Sequence, residues 1–140
     1  MKRILALILI LAFACIEVRA QKELAIQSAF DELAAGKNVT EVVMGAGRLK
    51  KYNLSLFHSL EIKMPTAPEQ QRVEALVQTD AEHAILHKEH GGHKLYELPK
   101  RGGMHRYIFF RQTGQSLILI YIEGKASLKQ IESQFLKKQN

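Results

Sequence analysis

One cysteine in 140 residues excludes an internal disulfide and leaves no second thiol to complete a CxxC metal or redox pair. Tryptophan is missing altogether, and only three prolines occur, Pro65, Pro68 and Pro99. The chain therefore has few rigid breaks and no proline-rich linker. None of the nine glycines completes a G-x-x-x-x-G-K-[ST] or G-x-G-x-x-G pattern. Gly45 and Gly47 in GAGRLKK thus read as a turn or bulge and not as a phosphate loop. No G-x-S-x-G surrounds Ser55, Ser59, Ser116, Ser127 or Ser133, and His58 beside Ser59 is a neighbour in sequence, which does not make it a catalytic partner. Glu69, Glu74, Asp80 and Glu82 fall mostly on the solvated side of a predicted helix, whereas a retaining glycosidase needs two buried carboxylates facing each other. These absences point away from an enzyme; no catalytic residue and no cofactor is implied.

Long apolar runs are also scarce, with one exception at the start. MKRILALILILAFACIEVRAQ carries Lys2 and Arg3, then an apolar run from Ile4 to Ile16, then small residues ending at Ala20. This is the pattern of a secretory signal, too short and wrongly flanked for a transmembrane helix. Cleavage after Ala20 predicts a signal peptide over 1–20 and a single domain over 21–140, with no transmembrane segment in the mature chain. Lipid attachment at Cys15 is the alternative, on a poor version of the lipoprotein motif. Cleavage after Ala20 removes the only cysteine, and a small exported domain without disulfides reads as a bacterial envelope protein, periplasmic or extracellular. The Asn38 and Asn53 sequons then carry no meaning for glycosylation. Taking Lys2, Arg3, Arg19 and Glu17 from 20 basic and 14 acidic residues leaves 17 and 13, a net charge of +4. That excess is spread along the chain with no Arg-rich helix, so nucleic acid is not an expected partner.

The densest apolar run of the remaining chain is MHRYIFFRQTGQSLILIYIEG, Met104 to Gly124. Two runs rich in Ile, Leu, Tyr and Phe around Thr113-Gly114 predict a hairpin. Leu117, Leu119 and Tyr121 take one face of its second strand, and Ile118, Ile120 and Ile122 the other. Both faces are apolar, which predicts a central strand covered on both sides. Core is the first reading; a lipid or other hydrophobic ligand held against one face is the sharper one.

The rest of the chain is read around that hairpin. Ile26, Phe30 and Leu33 predict an amphipathic helix over 22–35 stopped at Gly36. Val39 to Gly47 predicts a strand running into a turn. Leu60, Ile62 and Met64 alternate with Glu61 and Lys63 in a half-buried strand ending at Pro65. In the ambiguous stretch before it, Asn53 turns the chain and Leu56 and Phe57 tuck inward. Thr66, Pro68 and Glu69 form a capping box for a helix whose stripe is Val73, Leu76, Val77, Ala81, Ala84 and Ile85, ending between Gln78 and His83. Gly91-Gly92 predicts a hairpin with Glu89 opposite Lys94, His87 opposite Tyr96 and Ile85 opposite Leu98. The loop PKRGG leads into the Met104–Gly124 hairpin. Ser127 and Gln130 cap a last helix with Leu128, Ile131, Phe135 and Leu136 toward the sheet and Lys137 and Lys138 at its C-terminal end. The predicted class is α+β, a largely antiparallel sheet with a C-terminal β-meander and helices packed on it.

Four of the six histidines, His83, His87, His90 and His93, lie within eleven residues. Imidazoles at such spacing bind Zn, Cu or Ni, and His87, His90 and His93 are the candidate metal ligands, with His83 a possible fourth. On the hairpin register His90 and His93 share one face and His87 and Glu89 the other. The bland alternative is a polar, solvent-exposed hairpin tip. Three roles follow: a non-enzymatic binding domain for an envelope protein or ligand, a periplasmic metal binder, or a carrier of a hydrophobic ligand.

LILIYIEGKASLKQI (Leu117 to Ile131), preceded by SLEIKMP, a helix, LHKEHGGHKLYEL and HRYIFF, and a signal ending in Ala20-Gln21, resembles a family of small exported proteins of Bacteroidetes-type bacteria whose domain is of unknown function. The resemblance spans the pattern of residues 39–136. It implies an envelope protein, and it carries no functional residue over.

Overall fold

β-Branched and aromatic runs alternate along the chain with stretches of helical period, and the former meet in a single sheet. The computed structural model describes residues 23–136. The segment read as a signal, Cys15, Lys137 and Lys138 lie outside the described residues, as do the side chains of Phe135 and Leu136. In chain order the elements are α1 (Gln27–Leu33), β1 (Val39–Gly45), α2 (Ala46–Leu49) with a 3-10 turn at Lys50–Tyr52, and β2 (Leu54–Lys63). There follow α3 (Ala67–Ala81), β3 (Leu86–His90), β4 (His93–Arg101), β5 (Met104–Gln112), β6 (Ser116–Gly124) and α4 (Leu128–Ile131), which widens into a π turn at Glu132–Leu136. The strands form one antiparallel sheet in the order β1-β2-β6-β5-β4-β3. This is the α+β class read from the sequence, with β3 to β6 as its C-terminal meander. Strands β6 and β5 take the two middle positions, as their apolar runs require.

Two of the three expected cross-strand pairs are present, and Ile85 lies just before β3. Glu89 pairs with Lys94 and His87 with Tyr96, across a turn in which Gly91 and Gly92 both have positive φ. Gly102 and Gly103 make the same kind of turn between β4 and β5. Pro99 to Arg101 continue β4 and pair irregularly with β5, so PKR is strand where a loop was expected. The turn residues are the two glycines alone. Gly45 and Gly47 correct the reading in another way: Gly45 is extended, and residues 46–49 coil into a helical turn instead of a tight turn or bulge. Asn53 then reverses the chain in the left-handed region, φ 61°, and β2 begins at once, ahead of the alternation that announced it.

One face of the sheet, here the sealed face, is covered by α1 and α3. Leu60, Ile62, Leu117, Leu119, Tyr121, Ile108, Phe110, Tyr96 and Leu98 meet Ile26, Phe30, Val73, Leu76 and Val77 there. Helix α3 carries the predicted capping box: Thr66 Oγ1 accepts from Glu69 N–H, and Glu69 Oε1 accepts from Thr66 N–H at 2.8 Å. Its stripe ends with the helix, and Ile85 beyond it is exposed. Helix α1 begins at Gln27, later than the period suggested. The N–H groups just ahead of it are claimed from a distance: Ala25 and Ile26 donate to the two carboxylate oxygens of Asp80 at 2.8 and 2.9 Å. Asp80 is thus buried, and its place on the solvated side of α3 is corrected.

Among the described residues the opposite face is covered at one end only. There Leu49, Leu54, Leu95, Tyr107, Phe109, Ile122, Ala126 and Ile131 close a second cluster under α2 and α4. Gly124 sits where β2 bulges between Leu54 and Leu56. A Cβ on Gly124 would lie 2.6 Å from Leu54 Cα and 2.8 Å from Asn53 O, so the backbone approach demands glycine. Ser127 caps α4 through Gln130, again as the sequence predicts.

Candidate functional site

Strand pairing sorts the half-covered face into three rows that run across the sheet. Nearest the closed end, Met44, Phe57, Ile122, Tyr107 and Glu97 stand in register. Ile122 and Tyr107 are buried, and Tyr107 Oη donates to Ala126 O at 2.9 Å. Burial, then the Glu97 carboxylate, pushes the Tyr107 phenol well above its ordinary pKa. The middle row is Val42, Ser59, Ile120, Phe109 and Leu95. Phe109 and Leu95 are buried, Ile120 and Ser59 half-buried, and Val42 exposed. The last row is Thr40, Glu61, Ile118, Arg111 and His93, and no member of it is fully buried.

Burial therefore falls along the face from the α2 and α4 end toward the β5–β6 turn, and across it from β5 toward β1. Past the last row, Lys63, Met64, Thr113 and Ser116 extend the surface into an open hollow of about 820 Å³ that Glu61 and Arg111 also line. The resulting surface has an apolar floor, Val42, Phe57, Ile118 and Ile120, with one carboxylate and one guanidinium on either side of Ile118. Chemically it can hold an extended or flat partner through apolar contact and fix its direction with the two opposed charges. The sequence shows the half-buried alternation of β2, but not that Ile118 and Ile120 lie beside it. Only the β2–β6 pairing reveals that.

The candidate metal ligands are distributed over both faces. His90 and His93 pair directly across the Gly91-Gly92 turn and share the half-covered face. His87 stands on the sealed-face side, stacked on Tyr96 with ring centroids 4.5 Å apart. His83 lies in the turn after α3. The structure brings together His90 and His93 but not His87, and among the described residues no three His, Cys, Asp or Glu side chains cluster as a metal set. His93 packs on Phe109, opposite Arg111. Burial first, then Arg111 and His90, holds its imidazole below the ordinary value, so this spot disfavours added positive charge.

His58 and Ser59, neighbours in sequence, point to opposite faces. His58 is buried on the sealed face, stacked on Phe30 at 3.7 Å, with Nε2 2.8 Å from Glu41 Oε2. A second polar group gathers at the far end of that face. Asp80, His83, Arg101 and Arg106 line a hollow of about 480 Å³ beside the start of α1. Burial raises the Asp80 carboxyl above its ordinary range, partly offset by the Ala25 and Ile26 N–H bonds and by His83 and Arg106. Arg106 Nε donates to Pro99 O at 2.9 Å, and Arg101 pairs with Glu23. These contacts tie α3 to the segment before α1, that segment to β4, and β5 to β4, and the cluster acts as a clamp on the fold.

The chain belongs to a family of unknown function, DUF6108, whose model matches residues 13–135. No curated protein and no solved structure matches it.

Proposed function

We propose that the protein is an exported, non-enzymatic binding domain of the bacterial envelope that holds a protein segment on the open half of its sheet. The observation that carries this reading is the gradient of burial along one sheet face. A β-sheet face lined by Val42, Phe57, Ile118 and Ile120 keeps apolar area in water, and such a patch rimmed by polar groups marks an interaction surface. The occupant suited to it presents apolar side chains to Ile118 and Ile120, a basic group to Glu61 and an acidic one to Arg111. Export is supported by Lys2 and Arg3, the apolar run to Ile16 and the small residue at Ala20. Among the described residues no helix is long and apolar enough to cross a membrane.

Site-specific photocrosslinking in the producing cell tests the reading. A photoreactive residue in place of Ser59 or Ile118 is expected to trap one discrete partner band, and one in place of Glu74, on the exposed side of α3, to trap none. Equal trapping at all three positions, or at Glu74 alone, would sink it. So would hydrolysis of model esters, peptides or glycosides by the purified protein at enzyme-like rates. N-terminal sequencing of exported material is expected to begin at Gln21.

A further inference from the structure

The two edges of the sheet are built differently. Strand β3, LHKEH, presents a run of charged and imidazole side chains, and Lys88 reaches over to Glu132 at 2.9 Å. Such an edge repels an incoming strand. Strand β1, VTEVVMG, has no lysine, no proline and no bulge; Val42 is 39% and Val43 58% exposed. Its one charge, Glu41, is drawn back to His58 on the neighbouring strand.

The hydrogen-bond phase of β1 is legible. Lys63 N–H donates to Asn38 O at 2.9 Å, which makes 38 and 63 a bonded pair of the β1–β2 ladder. Alternation then turns the backbone groups of 38, 40, 42 and 44 toward β2 and those of 39, 41, 43 and 45 outward. Val39 agrees, since its N–H leaves the sheet to meet Gly36 O at 3.3 Å. Glu41, Val43 and Gly45 therefore point backbone groups away from β2, on a side where the sheet order of the described residues places no strand.

We infer that the occupant of this edge is a second copy of the chain, paired antiparallel through β1 about a two-fold axis at Val42. Val42 is the midpoint of Val39–Gly45, so this axis uses the whole strand. It sets Val42 on Val42, Glu41 opposite Val43, Thr40 opposite Met44 and Val39 opposite Gly45. The outward groups of Glu41 and Val43 then bond each other, twice by symmetry. An axis one residue earlier would face the two Glu41 carboxylates, which is unfavourable. An axis one residue later runs the strand into α2. The two-fold axis stands perpendicular to the sheet, so the half-open faces of both copies lie on the same side of one twelve-stranded sheet. Val42 belongs both to this edge and to the apolar floor, and pairing through β1 needs no partner on those faces.

Cysteine scanning and sedimentation equilibrium test it on the exported chain. Val42 pairs with itself at a non-bonded position, where Cα atoms stand about 4.5 Å apart, within disulfide reach. Under mild oxidation Val42→Cys is expected to give a disulfide-linked dimer. Val43→Cys is expected not to, because its two copies are diagonal neighbours roughly 7–8 Å apart. The unmodified protein is expected to sediment at twice the monomer mass, and Val42→Lys, which opposes two ammonium groups, at half that value with unchanged circular dichroism. A wild-type monomer at all concentrations, a dimer indifferent to Val42→Lys, or equal crosslinking of the two cysteine variants overturns the inference. A monomer that instead acquires another protein's strand at β1 overturns it as well.

Discussion

Leu119 and Ile118 are adjacent in β6 and nearly equal in size, yet Leu119 is sealed and Ile118 half open. The difference lies in the helices that land on each face. Helix α3 has 15 residues, which at the α-helical rise gives about 22 Å. From β2 to β3 the sheet measures roughly 19 Å, four strand spacings. One helix thus bridges the strands it connects, and α1 covers the remainder. On the other face α2 and α4 have 4 residues each, about 6 Å apiece, each prolonged by one short turn, Lys50–Tyr52 and Glu132–Leu136, and they seal only the end where Gly124 lets Leu54 approach. A sheet apolar on both sides is therefore closed only as far as its helices reach, and the uncovered remainder is the surface we propose for a partner.

The sharpest way to break this comparison is to truncate both neighbours. Leu119→Ala is expected to cost about 3–4 kcal/mol, as a full cavity beneath α3 does, and Ile118→Ala no more than about 1 kcal/mol, read as shifts in urea midpoint at constant slope. Equal losses would show that the two faces are packed alike. Gly124→Ala probes the closed end of the half-open face. The added methyl meets Leu54 Cα and Asn53 O, and the expected loss is about 2 kcal/mol; a neutral result would mean the bulge gives way freely.

Smaller effects separate the clamps on the sealed face. Thr66→Ala removes the cap of α3 and is expected to cost about 1 kcal/mol in the same melts. Asp80→Asn sharpens the comparison through pH. Burial raises the folded-state pKa of Asp80, so the native state holds this proton more firmly than the unfolded chain. Asp80's stabilising contribution is full below the ordinary carboxylate value of about 4 and is lost as pH rises through the folded value. Stability measured from about pH 4 upward is expected to fall less steeply in Asp80→Asn than in the wild type. Parallel curves would show that the clamp does not titrate.

Much of this fold is legible before any coordinates. The turn at Thr113-Gly114, the Gly91-Gly92 register, both capping boxes and the end of α3 rest on residues within a few positions of one another, so adjacent chemistry suffices to place them. The candidate surface was half legible. Ser59, Glu61 and Lys63 alternate with apolar residues and mark an open side of β2, but Val42 and Val43 interrupt the alternation of β1 because an edge strand has water on more than one side. Asp80 was misread for the same kind of reason: in its helix it is one more acidic residue, and its partners are Ala25 and Ile26, 55 and 54 residues away.

By itself the sequence determined most of the segments that become strands and helices, most of the turns that join them and the α+β class, because those follow from period, turn chemistry and local caps; the helical turn of α2 and the Pro99–Arg101 end of β4 did not follow from it. Tertiary structure alone decided which apolar face is sealed and which stays open, which strands lie at the edges, and that Asp80 is buried against Ala25 and Ile26. Those outcomes depend on strand order and on the reach of each helix, and neither is a property of neighbouring residues.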